Sequence, residues 1–192
     1  MYFGFTNIEN MKVLNFFSGK KTGAELSNFW KGAIELDGRF YNCGESAFHG
    51  AKYFEIAKKS EGERKENLEI YAKKFEVDGE FSLLKGNEIK TRGGKGKKGF
   101  KLSEEELSVW SKCCLEIQEK ICKYKYDNDE GVRNVLEKHK NEILIHPALR
   151  CSEKNLEKKL WEGRAVVKDD EIVILGGNML GKIWMKIRDE EN

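Results

Sequence analysis

The sequence predicts an α+β fold, helix-dominated, a single domain over residues 1–192 with several short strands. Three observations carry this expectation. Apolar residues recur at i, i+3 and i+4 in well-separated segments, the pattern of helices with one buried face. Short β-prone runs flank Asp37-Gly38 and Asp169-Asp170, pairs that favour tight hairpin turns. The length, 192 residues and 22.2 kDa, suffices for one core without covalent staples.

Taken in order, Val13 to Phe17 reads as a buried strand, and Ala33 to Leu36 with Arg39 to Tyr41 as a hairpin. A helix follows at once from Glu45, with Ala47, Phe48, Ala51 and Phe54 on its apolar side. Leu68, Tyr71, Ala72 and Phe75 predict a second amphipathic helix, which Gly79 and Gly86 interrupt. Ser103-Glu104-Glu105-Glu106 is a capping box opening a long helix whose stripe is Leu107, Trp110, Cys114, Ile117, Ile121 and Tyr124. A shorter helix carries Val132, Val135, Leu136 and His139, and Ile143 to Ile145 is extended. His139 and His146 read as structural. Ala165 to Val167 and Ile172 to Leu175 form a second hairpin, and Asn178 is placed to cap a last helix with the stripe Leu180, Ile183, Trp184 and Ile187.

Composition narrows the function classes. Lys and Arg number 35 against 33 Asp and Glu, so a net charge of +2 gives no overall field for nucleic acid or membrane. The five cysteines form no C-x-x-C and are odd in number, which argues against a disulfide framework and a zinc ribbon; neither metal nor cofactor is expected. No segment approaches the roughly 20 apolar residues of a membrane span, and the start, Met1 to Asn7, lacks the features of a signal peptide. A soluble, cytoplasmic protein is the expectation.

The chemistry concentrates on one helix face. Glu45, His49 and Lys52 stand at i, i+4 and i+7, within roughly 60° of one another and about 10 Å apart end to end along the axis. A carboxylate and an amine could close on one small ligand from two sides there. Burial makes a lysine less basic and a carboxyl more so, which suits a nucleophile and a proton carrier; an ordinary charged surface is the competing reading. A second feature is the stretch Lys90 to Lys101, with six cations (Arg92 among them), four glycines and no acid. It either offers cations and amides to phosphates or is a solvated loop.

Three blocks resemble the NADAR superfamily of YbiA-like proteins. They are Phe16-Phe17 with Leu26-Ser27-Asn28-Phe29 and Leu36-Asp37-Gly38, then Glu45 to Lys52, then Gly177-Asn178-Met179-Leu180-Gly181 running to Arg188. The Trp110 helix with its Lys125-Tyr126 end also fits, so the resemblance covers nearly the whole chain. It implies cleavage of an N-glycosidic bond to ribose: removal of ADP-ribose from modified guanine in nucleic acid or nucleotide, or hydrolysis of riboflavin-pathway intermediates. Outside enzymes the alternatives are a non-catalytic ADP-ribose or nucleotide reader and a structural or partner-binding protein with a degenerate pocket. In the first case Lys52 would form a Schiff base with the opened ribose and Glu45 would move protons. Asn28 would hold sugar or phosphate oxygens, Phe29, Trp30 or Trp161 would stack a base, and His49, Arg92 and Asn178 are the further candidates for binding substrate. Two positions depart from the family pattern. His49 stands where a glutamine is usual. Lys158 stands where many members carry an acid ahead of their W-G pair, here Trp161-Glu162-Gly163, leaving Asp169 and Asp170 as candidates to replace it.

Overall fold

The computed structural model describes residues 12–94 and 98–191. The expectation for the first seven residues, and Lys95 and Lys97 of the basic stretch, therefore lie outside the described residues. In chain order the elements are β1 (Val13–Asn15), a 3-10 turn (Ala24–Leu26), β2 (Lys31–Leu36), β3 (Arg39–Cys43), α1 (Gly44–Ala57), α2 (Gly62–Lys73), α3 (Gly86–Gly93), α4 (Glu104–Asn128), α5 (Glu130–Lys138), β4 (Ile143–Ile145), a second 3-10 turn (Glu153–Lys158), β5 (Arg164–Lys168), β6 (Glu171–Leu175) and α6 (Met179–Glu190). The expected helix-dominated α+β architecture is observed. The backbone forms two compact units, one continuous from Asn28 to Asp129 and one composed of residues before and after it.

In the continuous unit, β2 and β3 form the antiparallel hairpin turned by Asp37 and Gly38, both at positive φ (51° and 75°), as a tight primed turn requires. Helix α1 follows without a linker and packs against α2, α3, α4 and both strands of the hairpin. Nothing in the side chain of Cys43 caps it; the Asn28 carbonyl accepts the Glu45 N–H at 2.9 Å and satisfies one of the orphan donors. Tyr53 of α1 and, around it, Leu68, Ala72, Phe75, Ile89 and Ile121 all have no exposed surface. Each such large apolar side chain contributes about 1.5–3 kcal/mol on burial. Helix α4 begins with the expected box: Ser103 Oγ accepts from Glu106 N at 3.2 Å, and Glu106 Oε2 accepts from Ser103 N at 2.7 Å. Arg64 of α2 then clamps the same carboxylate through two nitrogens, at 2.8 and 2.7 Å.

One expectation changes here. The second helix ends before Gly79 as expected, but the basic stretch from Lys90, read as a phosphate-binding or solvated loop, begins inside helix α3, which opens at Gly86. The Glu88 carboxylate caps it by accepting from Lys85 N at 3.0 Å, and Ile89 anchors it in the core. Gly86 is required at its start because the Phe29 ring lies where a Cβ would stand.

In the other unit, β1 and β4 pair in parallel, with Leu14 opposite Leu144, and Phe16 N–H donates to the Ile145 carbonyl at 3.0 Å. The β5–β6 hairpin turns through Asp169 and Asp170 at φ 48° and 60°. Helix α6 buries Leu180, Ile183, Trp184 and Ile187 as expected, and Trp184 Nε1 donates to the Leu26 carbonyl at 2.9 Å. Asn178 precedes this helix in a left-handed conformation, φ 47°, but its side chain does not cap it. Its Oδ1 accepts from His146 N at 3.0 Å and its Nδ2 donates to the Leu144 carbonyl at 2.9 Å, so the amide closes the end of β4.

Candidate functional site

The three residues of the α1 face are together and buried: Glu45, His49 and Lys52 are 8%, 7% and 6% exposed. His49 Nε2 donates to Glu45 Oε1 at 3.1 Å, one helical turn apart. Burial depresses the imidazole's basicity below its ordinary value, with Lys52 and Lys90 acting in the same sense and Glu45 opposing them. The ring is therefore neutral at pH 7. With its one proton directed at Glu45, Nδ1 is a bare acceptor, and it has no hydrogen-bond partner. Phe48 and Phe75 flank the ring at centroid distances of 5.7 and 5.9 Å, which keeps water from it.

The far side of the cluster is formed by the last turn of α3. A Cβ on Gly93 would overlap Cγ and Nδ1 of His49, so only glycine allows that approach. Lys52 Nζ donates to the Gly93 carbonyl and lies 4.6 Å from the Tyr53 ring centroid, while Tyr53 Oη donates to the same carbonyl at 3.3 Å. Tyr71 Oη donates to the preceding carbonyl, Arg92 O, at 2.9 Å. The carbonyls at a helix end are the negative pole of its dipole and lack partners within the helix, so an ammonium and two phenols satisfy them. The space that the i, i+4, i+7 spacing suggested for a ligand is filled by Gly93.

No family model matches the chain, and no curated protein matches it in sequence. Among solved structures, the NMR structure of the E. coli protein YbiA aligns with 94% of this chain and 84% of its own, at 16% identity and a TM-score of 0.55. This chain has the YbiA-like fold. At that identity the likeness carries the fold alone, and the chemistry has to be read from the side chains present here.

The YbiA-like fold distributes the other candidates unevenly. Asn28 sits at the start of α1, but its amide is engaged: Nδ2 donates to Gln118 Oε1 at 2.8 Å and Oδ1 accepts from Gln118 Nε2 at 3.0 Å. Phe29 is packed over Gly86, and Trp30 is exposed at the surface. Arg92, in the last turn of α3, holds its guanidinium 5.4 Å from the Phe81 ring centroid. Trp161, Asp169, Asp170 and Asn178 belong to the other unit, the two aspartates at an exposed turn. A surface hollow of about 340 Å³ lined by Ile70, Lys73, Lys74 and Glu80 includes none of the candidates. Among the described residues no cluster of three or more His, Cys, Asp and Glu could hold a metal, and no helix is long and apolar enough to cross a membrane. Sequence reasoning missed Gly93, Tyr53, Tyr71 and Gln118. Local signals existed for Tyr53, which borders the ionisable stripe of α1, and for Gln118, an amide interrupting the apolar stripe of α4 between Ile117 and Ile121.

Proposed function

We propose that this protein hydrolyses an N-glycosidic bond to ribose, releasing ADP-ribose from modified guanine in nucleic acid or free nucleotide. The observation that carries the reading is the convergence of Glu45, a neutral His49 and Lys52 on one desolvated face of α1. Lys52 first gives up an ammonium proton, which the Glu45 carboxylate takes, and the amine so formed attacks the anomeric carbon as the carbon–nitrogen bond to the base breaks. Glu45 delivers a proton to the departing base. Opening of the sugar ring, with loss of a proton from nitrogen to the ring oxygen, gives a Schiff base on Lys52. Water deprotonated by Glu45 adds to that carbon, the amine leaves, and free ADP-ribose is regenerated with Lys52. His49 holds the Glu45 carboxylate in one orientation throughout, through the 3.1 Å hydrogen bond.

A second reading has its own observation. Because Lys52 donates to Gly93 O, it also serves as a cap for α3, as a non-catalytic ADP-ribose or nucleotide reader would allow. Borohydride added during turnover of ADP-ribosyl-guanosine separates the two. The expected result is a reduced sugar adduct on the Lys52 peptide, with Lys52→Arg at least about 10³-fold slower than wild type. Near-full turnover by Lys52→Arg, or an adduct on another lysine, rejects the role.

A further inference from the structure

We propose that the last turn of α3 is a movable lid over the α1 face, and that the Gly93 carbonyl stands in for a ligand oxygen when the site is empty. This deepens the glycosidase reading and rests on it for its purpose. The contacts that hold the turn to α1 and α2 are hydrogen bonds to its backbone, while the Arg92 guanidinium lies over the Phe81 ring. Within Lys90–Gly93 no apolar side chain is buried; the core anchor, Ile89, lies one residue earlier. Lys52 and Tyr53 donate to Gly93 O, and Tyr71 donates to Arg92 O. A ligand oxygen can accept the same donors, so exchange needs no loss of apolar burial.

The surroundings point to a ligand rather than to a permanent cap. His49 Nδ1 is buried, unpartnered and directly beneath Gly93, an acceptor that the backbone placed over it leaves without a proton donor. Once the turn lifts, Nδ1 can accept from a hydroxyl while Lys52 and Tyr53 donate to a neighbouring oxygen. Adjacent oxygens, one donating and one accepting, are the signature of a sugar. An eight-residue helix has little stability of its own, so its final turn can unwind without disturbing α1.

The test reads access to the amine, independently of turnover. Reductive methylation of the full-length protein with formaldehyde and cyanoborohydride, followed by peptide mass spectrometry, gives a rate for each lysine. In wild type, Lys52 should react at least about tenfold more slowly than exposed Lys59 and Lys65. In Gly93→Ala the added Cβ forces the turn off His49, and Lys52 should accelerate at least about tenfold while a cooperative melt is retained. Should Gly93→Ala fail to fold, the Tyr53→Phe/Tyr71→Phe double variant removes two holding bonds without adding bulk and should raise the Lys52 rate. Wild-type labelling as fast as Lys59, or Lys52 as protected in a folded variant as in wild type, overturns the lid. Failure of the glycosidase reading would show in the borohydride trap and leave these rates unchanged.

Discussion

At the scale of single residues, His49 lies in a buried environment that differs strongly from that of a free side chain. Its folded-state pKa lies below the ordinary 6.5, chiefly through burial. Between that depressed value and about 6.5 the unfolded chain binds a proton that the folded chain refuses, so stability rises with pH across this window. The stability is complete above about pH 6.5 and is lost as pH falls toward the folded pKa. Melting temperatures of wild type and His49→Gln between about pH 8 and 5 isolate the effect, since Gln can still donate to Glu45 but cannot titrate. Wild type should lose more than the variant on acidification. Parallel losses would mean that His49 protonates as readily folded as unfolded. The spacing of Glu45, His49 and Lys52 was legible in the chain because helical periodicity is local. That His49 is neutral and lacks a partner on Nδ1 was not, because the groups that desolvate it, Phe75 and Gly93, come from later segments.

Among the elements, α4 is joined to the loop before β2 by the reciprocal Asn28–Gln118 amide pair, 90 residues apart in sequence, and the Asn28 carbonyl also accepts from the first turn of α1. Gln118 is almost fully buried and also donates to Cys122 Sγ at 3.3 Å. Removing one amide leaves the other without its partner, so Gln118→Ala should cost about 1–3 kcal/mol in urea unfolding. The Asn28→Ala/Gln118→Ala double variant should cost less than the sum of the singles by about 0.5 kcal/mol or more. Strict additivity would show that each amide is satisfied by water instead. Both hairpins, the capping box of α4 and the stripe of α6 were legible, because turn chemistry and capping act over two to four residues. Helix α3 was not. Its glycines signal a break, and what overrides them is remote: the Phe29 ring against Gly86 and the phenols of Tyr53 and Tyr71 on its last carbonyls.

At the scale of the whole molecule, the discontinuous unit depends on pairing between residues near 14 and near 144, with Asn178 completing it. Asn178 has no exposed surface, and its amide serves two backbone groups of the chain around β4. Asn178→Ala should therefore destabilise by about 2–5 kcal/mol, combining two unpaired buried groups, and should speed hydrogen exchange at the His146 amide. A loss below about 1 kcal/mol, with His146 exchange unchanged, would show that other partners take over these groups.

The sequence by itself determined the helices other than α3, where the two hairpins turn, and that a carboxylate, an imidazole and an amine share one face of α1. Each of those follows from side-chain period or turn geometry within a few residues. Only the tertiary structure decided that β1 pairs in parallel with β4, that the amides of Asn28 and Asn178 serve Gln118 and the backbone around β4, and that the Lys52 amine meets the Gly93 carbonyl. Those outcomes turn on which distant groups reach a buried polar atom first, since burial makes a partner obligatory while sequence spacing says nothing of where that partner lies.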